Sequence, residues 1–114
     1  VIYLGYIDEL DKIGLIDSSE VIVLPSKHAG ESFPLIINEV KARRKPLVVT
    51  NVGSLAYMVA NSSEGVVANA DATDLANGII RILSNPNKFR VEAKLPTWRE
   101  VSNLIMSSYE RVAA

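Results

Sequence analysis

Two glutamates eight positions apart, Glu31 and Glu39, flank the start of an apolar helical run in the stretch HAGESFPLIINEV, residues 28–40. A carboxylate is a good acceptor for vicinal hydroxyls. A helix N-terminus, with its unsatisfied N–H groups and the positive end of the dipole, attracts phosphate. A loop acid, a helix start and an acid inside the helix would therefore suit a ligand with hydroxyls at both ends and a diphosphate between them. A nucleoside-diphosphate sugar has that layout. If the helix starts near Phe33, Glu39 lies about one and a half turns in, roughly 8–9 Å along the axis. Gly30 lets the backbone approach closely, and Pro34 suits a first turn, where its missing N–H is harmless. The spacing alone is a weak signal, because FPLIINEV also reads as a core helix and nothing more.

The other reactive side chains say less. His28 is a lone loop histidine, either a ligand contact or a solvated bystander. Lys41, Arg43, Arg44 and Lys45 form a basic run at the end of the same helix, where they complement the dipole; no nucleic-acid role is expected of them. Trp98 and Tyr109 read as packing residues. The chain has no cysteine, which excludes disulfides and thiolate metal sites. It also has no Asp-x-Asp pair.

The 114 residues bound the answer to one domain with a real core. Apolar residues make up 48% and charged ones 22%, ordinary proportions for a globular chain, and the formal net charge of −1 supplies no field for nucleic acid or an anionic membrane. No apolar run approaches the ~20 residues needed to span a bilayer. The chain opens without a signal-peptide layout, so a soluble, cytoplasmic protein is expected.

Short apolar runs at Val1–Leu4, Val21–Leu24, Pro46–Thr50 and Gly65–Ala68 alternate with helical spacing. The helical stretches are Asp8–Asp17 with Asp8 as N-cap, Phe33–Arg43, Leu55–Ala60, Ala72–Leu83 and Trp98–Val112. Strands without polar alternation are buried on both faces, which predicts an α/β domain: a parallel sheet with helices on both faces. Ligands of such sheets sit beyond the carboxyl ends of the strands, and the loop Pro25–Ser32 is such a place.

The string from GYIDELDKIGLIDSSEVIVLPS through HAGESFPLIINEVKARRKPLVVTNVGS strongly resembles the retaining GT-B glycosyltransferases of family 4 (glycosyl transferases group 1). The resemblance continues through AYMVANSSEGVVANADATDLANGIIRIL to TWREVSNLIMSSYERV, a closing helix at about residues 97–113. It implies the Rossmann-like, donor-binding C-terminal domain of a longer enzyme, a single partial domain over residues 1–114. Glu31 and Glu39 match the family's Glu-x7-Glu motif. By that match Glu31 contacts the transferred sugar and Glu39 holds the ribose. Backbone N–H groups of Phe33, Leu35 and Ile36 would bind the diphosphate, and the turn at Tyr6 and Ile7 would hold the base. His28, Gly30 and Ser32 are further candidates. No cofactor and no metal are implied.

The implied activity is sugar transfer from a nucleoside-diphosphate sugar with retention of configuration. A sugar, lipid or protein acceptor would be bound mainly by an N-terminal domain, with peripheral membrane contact through that domain. These 114 residues alone would be inactive, because the cations that neutralise the diphosphate and the acceptor domain are absent from them. Alternatives are a non-catalytic nucleotide-binding or interaction module and a GT-B-like nucleotide-sugar epimerase. A Gly-Arg strand end before Val1, with a lysine soon after it, would favour the transferase.

Three positions depart from the pattern: Pro34 and Arg44 stand where glycine is usual, and Tyr57 stands where the Gly-Gly-x-x-Glu turn has its acid. In the family's sheet order, 3-2-1-4-5-6, VIYLG and VIVLP would be separated by two strands not found here. VIYLG is therefore expected to move beside VIVLP and complete a four-stranded sheet. The competing outcome is self-association through an exposed sheet edge.

Overall fold

The computed structural model describes residues 1–28, 30, 34–59, 62–92 and 94–113. Its centre is a parallel sheet of β1 (Ile22–Leu24), β2 (Leu47–Thr50) and β3 (Gly65–Ala68), in that spatial order. Ile22 is opposite Leu47, and Val48 is opposite Val66. All four residues of β2 are fully buried, as a continuous Leu-Val-Val-Thr run requires of a strand covered on both sides.

The helices are α1 (Glu9–Ser18), α2 (Leu35–Ala42), α3 (Leu55–Met58), α4 (Ala72–Ser84) and α5 (Trp98–Ala113). Alternation along β2 divides the core. Leu47 and Val49 pack with Ile16 of α1, Ile37 and Val40 of α2, and Leu55 and Met58 of α3. Val48 faces the other way, onto Ile82 of α4 and Phe89. The expected parallel α/β sheet with helices on both faces is present. Gly65 permits the close β2–β3 approach, since a Cβ there would lie 2.0 Å from the Leu47 carbonyl oxygen.

Local chemistry sets the helix ends. Asp8 Oδ1 accepts from the Asp11 N–H at 2.8 Å, and Asp71 Oδ1 accepts from the Asp74 N–H at 2.8 Å, so both aspartates are side-chain N-caps. Thr97 and Glu100 form a reciprocal capping box at the start of α5. At the end of α2, Arg44 N–H donates to Lys41 O and Lys45 N–H to Val40 O. That is a Schellman motif, with Arg44 in the left-handed conformation at φ 59°.

Two expectations are corrected. Val1–Leu4 is not a strand: it pairs with nothing in the three-stranded sheet and is exposed throughout. A strand needs a neighbour to take up its N–H and C=O groups. Here α1 is fastened to α2 by ion pairs at both ends, and the segment before it is not carried to the edge of β1. The second correction is that α2 begins at Leu35. Pro34 sits just outside it as an extended cap residue with ψ 121°, so Glu39 is about 6 Å from the helix start, one turn rather than one and a half.

The closing helix falls where the sequence put it, but not as expected for its aromatics. No residue of α5 is buried, and Trp98 and Tyr109 are exposed. The long dimension is 56 Å against 30 Å for the others. The radius of gyration of 16.3 Å exceeds the ~13 Å of a compact chain this size.

Candidate functional site

The carboxyl ends of β1 and β2 lead into the loops after Leu24 and Thr50. Thr50, buried at the end of β2, ties these loops together: its hydroxyl donates to the Ser26 carbonyl at 2.5 Å. Beyond Ser26 the chain reaches His28, which is exposed, and Gly30, in a turn whose nearest neighbour is the His28 imidazole. Glu31, Ser32 and Phe33 lie outside the described residues. The sugar-contact position and one expected diphosphate donor are therefore not placed by the structure.

Helix α2 then opens with Leu35 and Ile36, whose N–H groups have no carbonyl earlier in the helix to bond. The first bond of the turn runs from the Ile37 N–H to the Pro34 carbonyl at 3.2 Å. Pro34 has no side-chain acceptor to cap these donors. Among the described residues no side chain caps the N-terminus of α2, a position where a helix can receive an anion.

Glu39 lies one turn further on, on the side of α2 that faces α1. Its Oε2 is buried and 3.0 Å from Lys12 Nζ, within ion-pair distance but outside hydrogen-bond geometry. Lys12 Nζ is also 2.9 Å from Glu9 Oε1. Glu9 first and Glu39 second hold the Lys12 ammonium above its ordinary range, with burial opposing them. Among the described residues no three His, Cys, Asp or Glu side chains are placed to share a metal ion.

The turn at residues 5–7 leads into α1. Gly5 has φ 63°, the conformation that glycine adopts freely, and the chain passes through Tyr6 and Ile7 to the Asp8 cap. Ile7 is half-buried against a hollow of ≈380 Å³ that it shares with Leu4, Leu10 and Gly14; Tyr6 is exposed. The first turn of α1 is thereby the common neighbour of this turn and of Glu39, whose side chain borders a second hollow of ≈240 Å³ with Lys12, Ile13 and Ala42. A larger hollow, ≈580 Å³, includes Glu64 and Arg90 and lies by the entrance to β3, the opposite end of the sheet.

Of the expected site residues, Leu35, Ile36 and Glu39 belong to one helix start. Ile7 lines a hollow that includes no residue of α2, and Tyr6 is exposed, so the structure does not bring the turn at residues 5–7 to that helix start. Sequence reasoning missed Lys12. Glu9 and Lys12 read as an ordinary pair one helical turn apart, and nothing in the spacing signals the longer-range partner, Glu39.

The profile of the glycosyl transferases group 1 family matches residues 1–94. A glycogen synthase of Mycobacterium tuberculosis is 30% identical over 102 residues, covering 89% of this chain and 24% of that protein. A D-inositol 3-phosphate glycosyltransferase of Gordonia bronchialis is 29% identical over 102 residues, covering 82% of this chain and 22% of that protein. The chain thus spans about a quarter of the length of the curated relatives it matches. Among solved structures, sucrose-phosphate synthase from Thermosynechococcus elongatus superposes with a TM-score of 0.78 at 28% identity, over 97% of this chain and 30% of that one. With its fold, its profile match and its relatives in agreement, the chain belongs to the glycosyl transferases group 1 family and has a GT-B-type α/β fold.

Proposed function

We propose that this chain is the donor-binding part of a retaining glycosyltransferase of family 4, using a nucleoside-diphosphate sugar. The observation that carries the reading is the juxtaposition on α2: a helix start that no described side chain caps, and one turn below it a carboxylate held in place by α1. The diphosphate would sit against Leu35 and Ile36, the ribose hydroxyls on Glu39, and the base at the turn of Tyr6 and Ile7. Glu31 and Phe33 extend the same assignment to the sugar and to one more donor, and His28, Gly30 and Ser32 border it.

In the reaction, the bond from the anomeric carbon to the diphosphate oxygen breaks and an acceptor hydroxyl oxygen takes its place on the same face. The acceptor proton is lost to the departing diphosphate or to solvent. Charge developing on the diphosphate is met by N–H groups aimed at it in advance, the kind of stabilisation that raises turnover rather than affinity alone. The reading assigns no metal or cofactor to this step. It places acceptor binding in another domain, with membrane contact, if any, made there, and puts the reaction in the cytoplasm. Isolated from the rest, the chain would be inactive and prone to pair through the open edge of β1.

A transfer assay on the full-length protein tests this reading, with a panel of nucleoside-diphosphate sugars and the anomer of the product read by NMR. One donor is expected to be consumed with its anomeric configuration kept, and residues 1–114 alone to transfer nothing. Inversion, or epimerisation of the donor without transfer, would overturn it.

A further inference from the structure

We infer that Lys12 is a positioning residue for Glu39 and, through it, for the ribose end of the donor. The inference rests on the reading of Glu39 proposed above. A glutamate has several rotatable bonds between backbone and carboxylate, and only some of its rotamers would present an oxygen to a ribose diol. In this structure the choice is made by α1. Lys12 Nζ stands 3.0 Å from the buried Oε2 of Glu39, whose side chain is 40% exposed; on this inference the other oxygen, Oε1, takes the hydroxyl donors.

Lys12 is itself held on two sides. Glu9 Oε1 is 2.9 Å from its ammonium, and its backbone N–H donates to the Asp8 carbonyl at 3.0 Å in the capped first turn of α1. Its side chain is only 27% exposed, unusually low for a lysine that would otherwise reach into water. The other end of the α1–α2 contact has its own clasp, in which Arg43 Nε donates to Asp17 Oδ1 at 2.7 Å. Ile16 of α1 is buried in the shared core nearby. Removing the Lys12 ammonium therefore leaves the helix pair fastened and frees mainly the Glu39 carboxylate.

The test is calorimetric titration of UDP, ADP and GDP into the full-length protein and its variants, followed with whichever nucleotide the wild type binds most tightly. Lys12→Met is expected to weaken binding about two- to fivefold, the scale of a partly exposed ion pair. Lys12→Arg should restore most of the loss. In a Glu39→Gln background, Lys12→Met should add nothing, because the two act as one unit. Unchanged affinity in Lys12→Met, or an equal loss with and without the Glu39 carboxylate, overturns the inference; the second result would mean that Lys12 acts on the nucleotide itself or only on the fold. If Lys12→Met lowers the folded fraction, Glu9→Gln serves instead. It loosens Lys12 from the exposed side, and a smaller loss is expected that again vanishes without the Glu39 carboxylate. If Glu39→Gln alone leaves nucleotide affinity intact, the reading of Glu39 fails, and it fails independently of anything Lys12 does.

Discussion

Arg44 occupies the left-handed position that closes α2, φ 59°, where a Cβ is unwelcome. The strain was readable in advance, because the family pattern puts glycine there and a helix that must stop before Lys45-Pro46 needs that conformation. Arg44→Gly is expected to raise stability by about 0.5–1 kcal/mol, reduced from the full strain by the extra freedom of glycine in the unfolded chain. A denaturant midpoint measured against wild type checks it, and a loss of stability would mean that the guanidinium makes a contact worth more than the strain. At the same scale, Glu39 was proposed as a site residue from its spacing and motif, but its contact with Lys12 was not foreseen. A lysine on a different helix, 27 positions earlier in the sequence, becomes its neighbour only after α1 and α2 have packed on the same face of the sheet.

Elements were legible where their signals were local. Asp8 and Asp71 mark the starts of α1 and α4, and the apolar runs at Val21–Leu24, Pro46–Thr50 and Gly65–Ala68 became β1, β2 and β3 within a residue. The Thr-Trp-Arg-Glu box at residues 97–100 was there to be read as a capping signal and was not used. VIYL failed as a strand because apolar, β-branched composition states only a preference for a pleated surface, and pairing depends on what lies alongside. Between elements, the clasp of Asp17 and Arg43 makes a pH-dependent contribution. Hydrogen bonding from Arg43 is the main cause of a lowered Asp17 carboxyl, with burial opposing it. A folded-state value below the usual 3.8 means the clasp contributes fully above that pH and fades as the pH falls through the depressed value. Asp17→Asn should therefore lower the thermal midpoint near neutral pH and converge with wild type in strong acid. A gap that stays constant down to pH ~2 would assign the effect to packing rather than to charge.

For the whole molecule, the parallel sheet covered on both faces followed from the absence of polar alternation in the strands, and that held. What did not follow was the disposition of the ends. Both Val1–Leu4 and the apolar side chains of α5 are left outside the core, and the 56 Å long dimension reflects it. These segments carry hydrophobic surface that the described residues do not cover, and no periodicity argument states where such surface will go. The central claim, that the start of α2 and Glu39 hold the diphosphate and ribose of a nucleotide donor, concerns the full-length protein in its family context. The most direct measurement is the dissociation constant of the preferred nucleoside diphosphate for wild type and for Glu39→Gln, by calorimetry on the full-length protein. Loss of a charge-assisted hydrogen bond to the ribose should weaken binding roughly ten- to a hundredfold, with the fold unchanged by circular dichroism. Equal affinity in the two proteins would contradict the account.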